Sequence, residues 1–249
     1  METGQRGATA RDVRDLCDLY EVADPDERAR MTRLAAEGKQ QGWWQSYDLD
    51  YATYVGLEEA AVSLSYFQSS IVPGLLQTLD YARAMHEAGF QKYTPERLDE
   101  HIEVRMRRQR LLRRDPPLQL SVVLDEAVLH REVGGPAVMA AQLDYLVEVS
   151  KLAHVSIQVI PFSAGAHAAM DNMFDILEFS AAAPTVVYVE GLMGWVYLEK
   201  PQELTRYYQV LEHLRSRSLS PEDSVELIAE VRARHNSATF LAPRDTSNF

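Results

Sequence analysis

The sequence predicts an α+β fold, in which a mixed or antiparallel sheet is covered by helices and preceded by a small helical segment. Two observations lead to this class. Short stretches with the apolar–polar alternation of strands are separated by longer stretches with the periodicity of helices. The chain has 249 residues, 46% of them hydrophobic, which is enough for the core of one large domain with a small appendage.

The N-terminal part of the chain predicts two helices. Thr9 and Asp12 have the spacing of a capping box, and apolar side chains then recur at helical spacing up to Tyr20. The second helix begins after Asp24, because aspartate caps a helix and proline fits its first turn, and it ends near Gly38. Residues 40–54, which are rich in Trp and Tyr, are interpreted as a linker that packs against the next domain.

The rest of the chain alternates between strand and helix patterns. Helices are predicted over 76–88, 95–114, 136–149, 201–218 and 221–235. Four or five strands are predicted, with clear patterns over 118–124, 155–162, 174–179 and 185–189. Residues 61–70 are interpreted as a strand or the approach to one, and 195–198 as a possible continuation of the sheet. The short spacing of the last three strands indicates hairpins. The predicted domains are therefore a helical segment at 1–42, a large domain at 43–236 and a flexible tail at 237–249.

Composition limits the function classes. The net charge is −12, which argues against a protein that binds DNA on its own, because Lys and Arg side chains supply most of the affinity for DNA phosphates. Cys17 is the sole cysteine, so neither an intramolecular disulfide nor a thiolate zinc site is expected. No metal or cofactor is predicted. No apolar run is long enough to span a bilayer, and the expected location is the cytoplasm, without membrane association.

A ligand-binding pocket is predicted near two loops that follow strands. The first loop contains His167 among small residues, and such loops let backbone amides approach a ligand. The second loop lies between Glu190 and Trp195, with Tyr188 and Tyr197 on its flanks. Aromatic side chains with polar tips suit a pocket, although core packing explains them as well. The predicted ligand-binding residues are His167, Tyr188, Glu190, Trp195 and Tyr197.

Two further features admit a structural and a functional interpretation. Arg107, Arg110 and Arg114 share one helical face and could contact a DNA backbone, but such a run is more often a solvated face paired with nearby acids. Asp125 and Glu126 follow a strand, and paired carboxylates can do acid–base work. Adjacent residues on extended chain point to opposite sides, which favours a role in the turn. No catalytic residue is predicted.

Several stretches, in order over nearly the whole chain, resemble one family: actinobacterial transcription regulators with a helix-turn-helix of the lambda-repressor-like (XRE) type and a C-terminal domain of unknown function. These stretches include Glu2-Thr3-Gly4, Gly42-Trp43-Trp44, Val72-Pro73-Gly74-Leu75-Leu76-Gln77-Thr78, Val123-Leu124-Asp125-Glu126-Ala127, Ile157-Gln158-Val159-Ile160-Pro161-Phe162, Val187-Tyr188-Val189-Glu190-Gly191 and Leu219-Ser220-Pro221-Glu222.

The resemblance implies a function for each part. Residues 1–42 would be the remnant of the helix-turn-helix domain, with the DNA-reading helices before Met1, so DNA binding is expected only if those helices are restored. The large domain would bind a small-molecule effector or, like an antitoxin, a small acidic partner protein. A homodimer is expected, because operators of such regulators are two-fold and the helices at 135–151 and 201–218 carry apolar stripes. The alternative is an enzyme built on this scaffold, a cyclase or hydrolase, although the usual catalytic motifs are missing.

Overall fold

The computed structural model describes residues 8–37, 42–90, 92–180, 183–191 and 193–239. The chain divides into two compact units, Met1–Gly56 and Leu57–Phe249. Three sequence features lie outside the described residues: Glu2-Thr3-Gly4, the predicted helix end near Gly38, and residues 240–249 of the predicted tail.

The first unit contains two helices that agree with the sequence prediction. Helix α1 (Ala10–Leu19) begins with the predicted capping box, in which Thr9 and Asp12 satisfy each other's backbone N–H groups. Helix α2 (Pro25–Glu37) packs against α1. The Cys17 Sγ atom lies 3.7 Å from Met31 Sδ between them. Arg28 closes the turn by donating to the Val22 carbonyl.

The predicted linker contains regular structure that local pattern did not indicate. A 3-10 turn spans Trp43–Ser46, and helix α3 covers Ala52–Ala60. The boundary between the two units falls within α3, after Gly56. The sequence of α3 includes Thr, Val and Gly, which are poor helix formers, so its propensity and periodicity are weak.

The second unit is built on a six-stranded mixed sheet, which confirms the predicted fold class. Its strands are β1 (Ser63–Gln68), β2 (Gln119–Asp125), β3 (Val155–Ile160), β4 (Phe174–Glu178), β5 (Val186–Gly191) and β6 (Gly194–Leu198). The spatial order is β3-β2-β1-β4-β5-β6. Strands β1, β2 and β3 are parallel, whereas β4 is antiparallel to β1 and the remaining pairs are antiparallel hairpins.

Helices connect and cover this sheet. They are α4 (Leu79–Ala88), α5 (Pro95–Arg108), α6 (Ala127–His130), α7 (Pro136–Val149), α8 (Pro201–Arg217) and α9 (Pro221–Thr239). Helix α5 is shorter than predicted, because a 3-10 turn at Gln109–Leu112 follows it. The four-residue helix α6 was not predicted, since one turn has no periodicity to detect. None of the described helices is both long and apolar enough to cross a membrane.

One face of the sheet, here named the α8 face, forms a core with helix α8. Phe67 of β1, Val123 of β2 and Val187 of β5 pack there with Leu211 and Leu214 of the helix. All five side chains are almost completely buried. Because side chains alternate along a strand, residues two positions away from these also point toward α8.

The opposite face is covered from α3 and α5. Tyr66 points to this side, and its hydroxyl donates to Glu58 Oε1 at 3.0 Å. Arg108 binds the same carboxylate with two N–H groups, at 2.6 and 2.7 Å. Glu58 and Arg108 are buried, so a paired charge fixes these helices over the sheet.

Candidate functional site

Four of the five predicted ligand-binding residues lie together on the β5–β6 hairpin. Tyr188 pairs with Tyr197, and Glu190 pairs with Trp195, so alternation places all four side chains on one face. The two tyrosine rings are 5.3 Å apart. Burial and the nearby Glu190 carboxylate raise the pKa of Tyr188, which keeps this phenol protonated. Trp195 is 39% exposed.

His167 lies on the other side of the sheet. Its ring packs edge-on against Phe67 of the α8 face, with centroids 5.4 Å apart. The Ala169 N–H donates to Nδ1 at 3.3 Å, so the neutral ring carries its proton on Nε2, which lies 3.4 Å from Asp125 Oδ2. The structure therefore does not bring His167 together with the other four residues. The Nε2 atom thus links the loop to the end of β2, and Nδ1 fixes the turn within the loop.

The neighbouring carboxylates of Asp125 and Glu126 also bind backbone atoms of the adjacent loops. Asp125 Oδ1 accepts the Ala127 N–H at 2.8 Å, which forms the turn into α6. Glu126 Oε2 accepts the Phe162 N–H at 2.6 Å, and its other oxygen lies 3.1 Å from His130 Nε2. The two side chains thus bind different loop atoms, as expected for adjacent residues that point apart.

Two of the three arginines of the predicted basic cluster bind other groups of the same chain. Arg110 forms an ion pair with Glu59 at 2.9 Å, and Arg114 donates to the carbonyls of Glu59 and Ala61. Arg107 is exposed. Contact with a DNA backbone stays a prediction, and these partners compete with it.

A cavity that sequence analysis did not identify opens between the α8 face and α8. Ser156, Ser121 and Ser65 stand side by side on β3, β2 and β1, because the strand registers pair them directly. Serine side chains are small, so these three positions leave a gap under α8. Further along β1 and β2, the larger Phe67 and Val123 side chains fill the space under the helix. The cavity, here named the serine groove, measures about 310 Å³ and is lined also by Ser63, Glu178, Tyr208 and Arg215.

The Arg215 guanidinium group lies over the serine side chains. The Arg215 Nη2 atom lies 2.9 Å from Ser121 Oγ and 3.5 Å from Ser65 Oγ. Its Nη1 atom donates to Glu212 Oε1 at 2.6 Å. The Arg215 side chain is 32% exposed and that of Glu212 is 68% exposed, so solvent and solutes reach this pair. Guanidinium offers five N–H donors, which suits binding of an anion.

An acid lies at another part of the same groove. Glu178 pairs with Ser63 across β4 and β1, and the Tyr208 hydroxyl donates to its Oε1 atom. Burial and this hydrogen bond raise the pKa of Tyr208 to about 12, so the phenol remains a donor at neutral pH. The serine groove therefore combines hydroxyl groups with one positive and one negative side chain.

A second cavity lies between α5 and α7. It measures about 520 Å³ and is here named the basic groove. Leu112 and Val149 are buried in its floor, while Arg110 and Arg113 are exposed at its rim. In the described part of the chain, no group of three or more His, Cys, Asp or Glu side chains could hold a metal ion.

Comparison of the sequence with known protein families assigns the chain to one of them. Residues 51–230, more than half of the chain, match the family described as Domain of unknown function (DUF5753). The chain belongs to the DUF5753 family. No match was found among curated proteins or among solved structures.

Both grooves lie within the DUF5753 match, as do the β5–β6 hairpin and His167. A DUF5753 domain at this position is compatible with the C-terminal domain that the resemblance implies. The signal that could have located the serine groove is the alternation in Ser63-Leu64-Ser65 and in Gln119-Leu120-Ser121. Local pattern assigns these polar residues to one side of each strand, but only the strand order brings them into one row.

Proposed function

We propose that this chain is the effector-binding domain of a helix-turn-helix transcription regulator, and that the serine groove holds the effector. The regulator role rests on the resemblance of the chain to XRE-type proteins and on its DUF5753 domain. In such a regulator, the bound small molecule would bias the DNA-binding module attached to this domain.

The observation that carries the proposal is a set of polar side chains that line an open groove where the apolar core under α8 ends. Side chains between a sheet and its covering helix are normally apolar, because unpaired polar groups are costly there. Here three hydroxyls and the Arg215 guanidinium line a cavity of about 310 Å³, within the size range of small-molecule sites. A bound polar ligand would use these donors and acceptors.

Native mass spectrometry of protein purified from its own host tests the proposal. We expect a bound compound of a few hundred daltons on the native protein that disappears on denaturation. The Ser121→Leu variant fills the groove with an apolar side chain, and Arg215→Gln removes its cation, so both should lose the compound. Ser216→Leu is the matched control, because Ser216 is exposed on the same helix and is not among the groove residues.

Retention or loss of the compound in the three variants distinguishes support from contradiction. Loss of the compound in Ser121→Leu and Arg215→Gln, with retention in Ser216→Leu, supports the proposal. Retention in all variants, or no compound on the host-purified protein, contradicts it.

The basic groove favours a second candidate function, the binding of a small acidic partner protein. An apolar floor with the exposed Arg113 at its rim complements an acidic segment with an apolar face. Arg110 is paired with Glu59, and Glu148 also lines the groove, so Arg113 is the positive charge on which this candidate depends. The resemblance also implies such a partner, encoded beside regulators of this kind.

Titration with a synthetic amphipathic peptide that has one acidic face and one apolar face tests the second candidate. We expect Arg113→Glu to weaken binding about tenfold or more, because it reverses a rim charge. Arg206→Glu, an exposed arginine of α8 away from the basic groove, is the control and should bind as the unmodified chain does. Equal binding by Arg113→Glu and the unmodified chain would exclude the basic groove as the docking site.

A further inference from the structure

The serine groove contains two opposite charges at separate positions. Arg215 stands over Ser65 and Ser121, whereas Glu178 pairs with Ser63, two residues earlier on β1. From strand geometry, one or two strand spacings combined with a two-residue step separate these backbone positions by about 8 to 12 Å. The groove is therefore long enough for a ligand with two different polar ends.

The Arg215 end is arranged for an anion. Ser121 Oγ accepts a hydrogen bond from Arg215 and can direct its own O–H toward a ligand. The present partner of Arg215 is Glu212, in an exposed pair three residues away on the same helix. Exposed pairs of this kind contribute little to stability, so a ligand carboxylate or phosphate can replace Glu212 at small cost.

The Glu178 end is arranged for a cation or a hydrogen-bond donor. The Tyr208 hydroxyl donates to one carboxylate oxygen, which orients the group. A carboxylate has about four lone-pair positions, so further donors from a ligand can be accepted. A ligand ammonium bound there would neutralise Glu178.

Resting on the function proposed above, we infer that the serine groove selects amphoteric small molecules, with an anionic group bound by Arg215, Ser65 and Ser121 and a cationic group bound by Glu178. A purely anionic ligand would be repelled by Glu178, and a purely cationic ligand by Arg215.

Simple probes of defined length test this inference. ε-Aminohexanoate carries both charges, whereas hexanoate and hexylamine carry one charge each. Dissociation constants from ligand-observed NMR and calorimetry are compared. We expect ε-aminohexanoate to bind about fivefold more tightly than hexanoate or hexylamine, since the second ion pair adds on the order of 1 kcal/mol.

Two variants and one control localise the effect. Glu178→Gln should reduce ε-aminohexanoate affinity to that of hexanoate, and Arg215→Gln should reduce it to that of hexylamine. Glu203→Gln, also on α8 but away from the groove, should keep the preference. Thermal melting of each variant establishes that it is folded.

The outcomes also distinguish this inference from the proposed function. Equal binding of hexanoate and ε-aminohexanoate, a preference that survives Glu178→Gln, or no binding of any probe at about 10 mM would overturn the inference. If the host-purified protein nevertheless retains a compound that Ser121→Leu excludes, the proposed function stands and only the ligand class is wrong.

Discussion

At the residue scale, Glu58 and Arg108 form the charged contact with the largest energetic consequence. Both side chains are buried, at 0% and 5% exposure, and the two N–H groups of Arg108 satisfy both carboxylate oxygens. Removing one partner would leave the other as an uncompensated charge in a low-dielectric interior. The nearby pair of Arg110 and Glu59 is partly exposed and provides a comparison.

Arg108→Met is therefore expected to reduce the free energy of unfolding by about 3 to 5 kcal/mol. The control, Arg110→Met, should cost about 1 kcal/mol or less, because its pair is screened by solvent. Urea unfolding at pH 7 measures both values. Similar losses in the two variants would show that the buried pair contributes no more than a surface pair.

His86 makes stability depend on pH. Burial lowers its pKa to about 4, with further contributions from the positive Arg105 and from His101. The unfolded chain therefore binds more protons than the folded chain between about pH 6.5 and pH 4. The stabilisation is fully present above pH 6.5 and is lost as the pH falls toward 4.

We expect His86→Phe to weaken this acid sensitivity. Its urea midpoint should fall less between pH 7 and pH 4 than that of the unmodified chain, because Phe packs beside Tyr93 without titrating. His213→Phe, at an exposed position of α8, should follow the unmodified chain. A parallel decline of the His86→Phe and unmodified curves would contradict the assignment.

At the scale of elements, Gly135 shows how one residue fixes the start of a helix. It is the residue before α7 and has φ of 87° and ψ of 175°, a conformation that is essentially confined to glycine. No atom lies within 4 Å of the position that a Cβ would take. Any loss of folding free energy on adding a side chain here therefore comes from the backbone conformation and not from a packing clash.

Gly135→Ala should destabilise the protein by about 1 to 3 kcal/mol for this reason. Gly191→Ala is the control, because its added Cβ meets only the Gly194 carbonyl at an ordinary 3.6 Å. That variant should be neutral or slightly stabilising, as expected where the backbone already suits alanine. Thermal unfolding of both variants measures the difference, and an unaffected Gly135→Ala would refute the backbone argument.

The elements that sequence patterns located differ physically from those that they missed. Strands β1 to β6 are short runs rich in apolar residues, and a proline begins each of the helices α7 to α9. Helix α3 contains Thr53, Val55 and Gly56, so its stability depends on tertiary contacts rather than propensity. Strand β1 lies between β2 and β4, more than 100 residues away from Phe174, and no local pattern encodes such neighbours.

The serine groove was not predicted, and none of the five predicted ligand-binding residues is among its lining residues. Tyr188, Glu190, Trp195 and Tyr197 could be grouped from sequence because a tight hairpin keeps them close in sequence and in space. The serine groove requires β1, β2, β3 and α8 to be placed together first, so its residues span Ser63 to Arg215. His167 was separated from the hairpin because the sheet lies between them.

At the scale of the whole molecule, the apolar stripes that suggested a homodimer are largely used within the chain. Met139, Leu143 and Leu146 of α7 are fully buried, as are Leu211 and Leu214 of α8. The homodimer stays a prediction that now rests on the two-fold operators of the regulators that the chain resembles. Light scattering at tens of micromolar protein should give the mass of two chains, and the mass of one chain would contradict it.

The serine groove is the feature that connects the fold with the proposed function, and a crystal structure of protein purified from its own host tests it most directly. We expect electron density for a small molecule between Ser121 and the Arg215 guanidinium, with its other polar end toward Glu178. A compound bound instead against Tyr188 and Trp195 on the opposite face of the sheet would contradict this assignment, and so would a groove that holds ordered water alone.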